Sequence, residues 1–212
     1  EIRLSLVGSE MCIRDRFIGV FTLLCLFACQ SNDSKYIIEG TLPTAQQDGE
    51  WIYLAPMENA SIENIDSTRI ENARFTFQGT GEEMKVLRMR ILLRLKFQEL
   101  LVVTEPGVTS VRIDSISSAS GTTQNDALQH WKDRKQKTDS ESYALWTALK
   151  TCSPEDSIRI KQTWDSLRVE TQAFNYAFMK EHINQTVGKF LYKMIKTSLT
   201  EELRKELDEA NH

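Results

Sequence analysis

The stretch 121–126, Gly-Thr-Thr-Gln-Asn-Asp, divides the chain into two textures. Thr123-Gln124-Asn125-Asp126 has the form of a capping box with Asp in place of Glu, and predicts a helix running through Lys150. Ser153 followed by Pro154 at a first helical position predicts a second helix, to about Ile183. Gly188 and a Ser198-to-Glu201 box set off two shorter segments. Across the resulting hairpin, Trp131, Leu145, Trp146 and Leu149 can face Ile160, Trp164, Leu167, Phe174 and Phe178. Aromatics at helical spacing read as core.

Upstream of residue 121 the chain punctuates as short strands. Tyr36-Ile37-Ile38-Glu39-Gly40 is a first run, and Trp51-Ile52-Tyr53-Leu54 follows a polar loop holding Asp48-Gly49. Residues 67–70 and 74–78 flank Glu71-Asn72-Ala73, which predicts a hairpin turn, and Phe75 and Phe77 alternate with polar neighbours as on a half-buried strand. Residues 100–103 and 109–113 flank Glu105-Pro106-Gly107, where Pro fixes φ and Gly permits φ > 0. The expected fold class is α+β. An antiparallel β-sandwich or small barrel over residues 36–120 is followed by a helical region over 121–212, a hairpin with short C-terminal helices.

Between residues 88 and 97, Met89, Ile91, Leu93, Leu95 and Phe97 interleave with Arg88, Arg90, Arg94 and Lys96, with Leu92 the exception. Read as one strand, the period of two collects the cations on one face, whereas a helix would scatter them. Such a stripe suits lipid headgroups, polyanionic glycans or a partner's acidic patch. The same pattern also describes a solvent face whose cations discourage edge-to-edge pairing.

With 26 Lys and Arg against 30 Asp and Glu, the net charge of −4 lacks the basic balance of a nucleic-acid binder, and no nucleic-acid partner is expected. Nine glycines and four prolines argue against a low-complexity chain. The four cysteines, Cys12, Cys25, Cys29 and Cys152, include no CxxC, which excludes an in-chain dithiol centre of the thioredoxin type. Cys152 precedes the helix capped by Ser153, where the dipole lowers a thiol pKa, yet no base or second cysteine stands near it in sequence. It reads as a loop thiol. His130 and His182 have no companions at metal-ligand spacing, and neither a phosphate loop nor a nucleophile elbow occurs. No catalytic residue, metal or cofactor is expected in this chain.

The N-terminal end carries an address. Residues 5–16, SLVGSEMCIRDR, match the translation of a sequencing-library transposase adaptor, so residues 1–16 are read as a scar and set aside. Residues 17–28 form an apolar run of signal-peptide length, too short to span a bilayer. It ends in Leu26-Phe27-Ala28-Cys29, which resembles the bacterial lipobox; in such signals the cysteine thiol is acylated and the leader is cut before it. Cys29 is thus the expected lipidation site, with residues 29–35 as a polar tether and the membrane as a partner through the lipid anchor. One acidic residue in the tether, Asp33, is a weak surface-export signal, so an outer-membrane lipoprotein on the periplasmic face is favoured over the cell surface.

Taken in order, the lipobox, Tyr36-Ile37-Ile38-Glu39-Gly40, Ile52-Tyr53-Leu54, Asp66-Ser67-Thr68, Arg74-Phe75-Thr76-Phe77-Gln78-Gly79, Glu105-Pro106-Gly107, Gly121-Thr122 with Asn125, and Glu181-His182-Ile183-Asn184 before Val187-Gly188 resemble a known family. It is the domain of unknown function at the N-terminus of Bacteroidetes lipoproteins that carry a thioredoxin-like module of the TlpA or AhpC/TSA type. The resemblance covers residues 35–212; residues 84–97 match least well. It implies a non-catalytic binding or scaffold region ahead of a thiol-disulfide oxidoreductase module, with that C-terminal thioredoxin-like domain or another protein as partner. The alternative is a self-contained binding lipoprotein. Asp66-Ser67-Thr68 also resembles the Asp-Ser/Thr-apolar acceptor of O-glycosylation in that lineage, which marks Ser67 as a possible glycosylation site.

Overall fold

The computed structural model describes residues 35–91 and 96–210, with side chains for 35–90 and 98–209. Among these residues, one sheet joins β1 (Lys35–Thr41), β4 (Arg74–Thr80), β7 (Gly107–Arg112) and β8 (Ser118–Ser120) in the order β4-β1-β7-β8. A second joins β2 (Trp51–Pro56), β3 (Asp66–Arg69), β5 (Glu83–Ile91) and β6 (Lys96–Thr104) in the order β3-β2-β5-β6. The sandwich is therefore two open sheets, not a closed barrel. Alternation along each strand turns Tyr36, Ile38, Ile52, Leu54, Phe75, Phe77, Leu87, Leu100 and Val102 into one core between the sheets. Each such aliphatic side chain contributes about 1.5–3 kcal/mol by leaving water. Gly40 is required there: a Cβ would fall 1.9 Å from a carbon of the Phe75 ring opposite it.

Three strand expectations need correction. β1 and β7 pair in parallel, Tyr36 with Gly107 through Thr41 with Arg112, while the other ladders are antiparallel. A parallel pair needs a long crossover, and the chain between these two strands supplies it by passing through β2 to β6. Secondly, the turn at Glu71-Asn72-Ala73 is a hairpin turn, closed by the two backbone hydrogen bonds between Glu71 and Arg74 at 2.9 and 3.0 Å, but its arms do not go on to pair within one sheet. It carries the chain from β3 in one sheet to β4 in the other, with positive φ at Asn72 and Ala73. Both backbone N–H groups of that turn are held by the Asp48 carboxylate, at 2.9 and 2.8 Å. The Glu105-Pro106-Gly107 turn likewise crosses from β6 to β7 between sheets. Thirdly, residues 89–97 are not one strand: β5 and β6 are antiparallel neighbours, with Ile91 opposite Lys96.

The helices add a third layer. α1 (Thr123–Leu149) and α2 (Pro154–His182) form the expected hairpin, followed by α3 (Thr186–Ile195) and α4 (Glu201–Ala210). Ser153 caps α2 by accepting the Asp156 N–H at 3.1 Å, with Pro154 following, as the sequence predicts. α1 is capped differently. Its N-cap is Thr122, and its first N–H groups, those of Gln124 and Asn125, donate to Glu105 Oε1 at 2.7 and 3.1 Å. Asp126 turns back to accept the Gly121 N–H at 2.8 Å. For α4 the cap is Thr200, whose hydroxyl accepts the Leu203 N–H at 3.4 Å, not Ser198.

A second core forms where the helices cover one end of the second sheet. Met84 and Val103 meet Leu128, Trp131, Phe178, Met179, Val187, Leu191 and Leu207. Gly188 permits the α2–α3 corner, since a Cβ there would sit 1.9 Å from the His182 carbonyl oxygen. Beyond Trp131 and Phe178 the hairpin seam loosens: Leu145, Leu149, Ile160, Trp164 and Leu167 are half-buried. Trp146, expected in that seam, is 45 % exposed with the Lys150 ammonium 3.2 Å above its ring.

Sheet and helices meet on the free edge of β6. The Asn125 side chain accepts the Val103 N–H at 2.9 Å and donates to the Val103 carbonyl at 2.7 Å, pairing with the edge as a neighbouring strand would. Its Nδ2 also reaches the Thr109 and Thr122 hydroxyls. Asn125→Ala strands the Val103 N–H and carbonyl in a buried site, and should destabilise the chain by about 3 kcal/mol. Urea unfolding followed by circular dichroism measures this; a loss under 1 kcal/mol would contradict the edge-capping role.

Candidate functional site

The outer face of the second sheet has two parts. Met84, Leu101 and Val103 lie under the helices. The other end is open, and there the register sets Ser67, Tyr53, Arg88 and Glu99 in one row across β3, β2, β5 and β6. Directly paired residues share a face, so these four side chains stand together. In the next row of β2 and β3, Trp51 pairs with Arg69. Trp51 and Tyr53 are 42 % and 39 % exposed because Ile52 and Leu54, between and beyond them, point into the core.

Two arginines on this face, Arg69 and Arg88, are held in place. Arg69 lies over the Trp51 ring, its guanidinium carbon 4.7 Å from the centroid, and its Nη1 donates to the Gly49 carbonyl at 2.8 Å. Arg88 Nε donates to Glu99 Oε1 at 2.7 Å. Arg90 is exposed two residues further along β5. Planar guanidinium forks fixed by stacking or by a carboxylate lose little entropy on meeting a second carboxylate, sulfate or phosphate. The two aromatic rings add rigid apolar contact area beside them. The arrangement can bind an anionic surface.

Of the residues singled out from sequence, Ser67, Arg88 and Arg90 come together on this face. Cys29 and Arg94 lie outside the described residues, and of Lys96 only the backbone is described, opposite Ile91. The basic stripe is thus split between two strands. Nothing in Leu92-Leu93-Arg94-Leu95 carries the Gly, Pro, Asn or Asp that marks a reversal, which is why sequence read straight through it. Trp51, Tyr53 and Arg69 were missed as site residues; the signal for the first two was the alternation of large aromatics with aliphatics in Trp51-Ile52-Tyr53-Leu54.

The remaining candidates have local partners. Cys152 is half-buried with its Sγ 3.6 Å from the Leu149 carbonyl oxygen. His182 shares a hydrogen bond between Nδ1 and Gln185 Oε1 at 2.8 Å and packs on Phe178 at 4.4 Å between centroids. His130 meets the Phe174 ring edge-on. Among the described residues, no three His, Cys, Asp or Glu side chains are grouped to hold a metal.

Two perturbed groups, Glu82 and Lys132, sit where sheet and helices join, and a third, Tyr192, lies between α3 and α4. Glu82 accepts from the Thr186 hydroxyl at 2.6 Å and from Gln124 Nε2 at 2.8 Å, which holds its carboxyl below the usual range. Tyr192 is pushed up to about 12 by burial and then by its hydrogen bond to Asp208. Lys132 is wedged between α1 and β6 with its Nζ 3.4 Å from the Leu101 carbonyl oxygen, and burial lowers it to about 8.

The class of protein defined by this geometry is a two-sheet sandwich with a helical layer, one sheet face left open. Within it, residues 36–128 match the model of a family described as a domain of unknown function, DUF4369. The match takes in the sandwich and ends in the first turns of α1, leaving out the rest of the helical hairpin. No curated protein and no solved structure matches the chain.

The Lys132 shift has a definite sign. Between pH 8 and the unfolded value of 10.5 the unfolded chain binds the proton that the folded chain has released, so this residue's contribution to stability rises with pH across that window. Lys132→Met should therefore stabilise the protein at pH 7 by about 2–3 kcal/mol, an advantage that shrinks to nothing or reverses by pH 10.5. Paired urea titrations of both proteins from pH 7 to 10.5 measure it. Parallel stability profiles would show that Lys132 is solvated.

Proposed function

We propose that this chain is a non-catalytic binding and scaffold region of an envelope lipoprotein, anchored through an acylated Cys29, whose open sheet face contacts an anionic partner surface. The observation that carries the reading is the pair of adjoining rows that set Arg69 beside Trp51 and Arg88, oriented by Glu99, beside Tyr53, arginines next to exposed aromatics on a chain of net charge −4. A local cationic patch on an acidic molecule steers one face toward anions while the rest repels them. The anchor is supported by the lipobox at residues 26–29, and the thiol-disulfide context by the family resemblance of the ordered motifs. In this reading the sandwich and its helices present the attached thioredoxin-like module or dock on its substrate proteins, and the periplasmic face of the outer membrane is where they do so. Ser67, on an exposed edge strand beside Tyr53, is sterically open to a glycan.

Three measurements test this. Wild-type chain should be retained on a heparin column at low salt and elute earlier when Arg69 and Arg88 are both replaced by Gln. Both are exposed, so each replacement should change stability by no more than about 1 kcal/mol. Unchanged elution would remove the sheet face from the proposal. Metabolic labelling with an alkynyl fatty acid should mark the wild type and not Cys29→Ala; equal labelling would remove the anchor. Insulin reduction by the chain should be blank, and turnover surviving Cys152→Ser would contradict the non-catalytic reading.

A further inference from the structure

The buried hydroxyl of Thr138 points to a second site, in the helical hairpin and outside the family match. Hydroxyls on these helices commonly satisfy themselves by donating one turn back, as Ser140 does to Gln136 (2.9 Å), Thr147 to Tyr143 (2.9 Å) and Thr171 to Leu167 (2.7 Å). Thr138 does not. It is 9 % exposed, and its Oγ1 is, among the described residues, the one buried side-chain polar atom without a hydrogen-bond partner. An orphan of this kind costs about 1–3 kcal/mol unless something fills the space beside it.

That space is a cleft of about 360 Å³ between α1 and α2, within the range of small-molecule sites and far more than one water needs. Its donors and walls are specific. Trp164 and Leu167, both half-buried, form an apolar side. Asn175 has committed its Oδ1 to the Trp131 indole N–H at 3.0 Å, so its amide N–H groups are what it offers the cleft. Ser142 adds a hydroxyl, and Arg168 stands at the rim, loosely paired with Asp165 at 3.4 Å. No aspartate or glutamate is among the described residues that line the cleft.

We infer that this cleft binds a compact organic carboxylate with an apolar body: the carboxylate meets Arg168, the Asn175 amide and the Thr138 hydroxyl, and the body packs on Trp164 and Leu167. Donors and a cation whose one acidic partner here, Asp165, stands outside the lining select an anion, and the apolar wall separates an organic acid from inorganic phosphate. This site is independent of the sheet face and of the reading built on it.

The test is a titration of the full chain, kept soluble in a neutral detergent, with phenylacetate, benzyl alcohol and inorganic phosphate, followed by the indole N–H resonances. Trp164→Phe assigns the Trp164 signal. Phenylacetate should shift that signal saturably, and benzyl alcohol and phosphate should bind at least tenfold more weakly. Thr138→Val, which keeps the shape, and Arg168→Gln, at an exposed position, should each weaken phenylacetate at least tenfold. Absence of a saturable shift, equal affinity for benzyl alcohol or phosphate, or unchanged affinity in Arg168→Gln would overturn the inference. A Thr138→Val protein that gains thermal stability and binds phenylacetate as the wild type does would show the hydroxyl to be a packing defect, and would overturn it equally.

Discussion

The Asn125 carboxamide facing the Val103 peptide is the interaction on which the arrangement of layers depends. β6 is the edge of its sheet, and its outward N–H and carbonyl groups need partners once the helices bury them. α1 begins one residue after Thr122 and has its own orphan N–H groups. Asn125 satisfies the first requirement and Glu105 the second, in opposite directions across one joint. Gln129 repeats the device on the other sheet, accepting the Ala119 N–H of edge strand β8 at 3.1 Å. α1 therefore bridges the open sides of both sheets.

Fixing the start of α1 there has consequences along the rest of the chain. Leu128 and Trp131, one and two turns on, are drawn over Met84 and Val103, and α2 and α3 pack behind them. Gln124 Oε1 accepts the Val187 N–H at 3.1 Å, and Glu82 takes the Thr186 hydroxyl, so α3 is tied to the same joint. The helices are long enough that their far turns run past the sheet, where only the seam between them remains to bury side chains. That is why Trp146, Ile158 and Val169 stay exposed while Trp131 is buried, and why a cleft can open at Thr138. The helices also cover only one end of the second sheet, leaving the aromatic and arginine row in solvent.

The fold class was legible before the structure because its signals are local. Alternation around Ile38, Ile52, Phe75 and Phe77 gives strands with one buried face whatever they pair with. Ser153-Pro154 starts a helix on its own chemistry. Less was legible of the site. Ser67 and Arg88 were singled out for separate reasons, one as part of a tripeptide and one in a charged stripe, and no local pattern says that Tyr53 stands between them. The stripe itself was misread, because alternation resumes after the single exception at Leu92 and runs on from the residues of β5 into those of β6.

Sequence by itself determined the order and kind of the elements, the acidic balance of the chain and the absence of a CxxC pair, since propensity, period and composition act over a few residues. Tertiary structure alone decided which turns stay within a sheet and which cross between sheets, and that β1 lies parallel to β7. It also decided that the first turn of α1 is capped by the Glu105 carboxylate, 19 and 20 residues before the Gln124 and Asn125 N–H groups it accepts, and that Thr138 Oγ1 is left without a partner. These depend on which surfaces meet once apolar faces are buried, and backbone groups at an edge or a helix end take whatever partner that burial brings within reach.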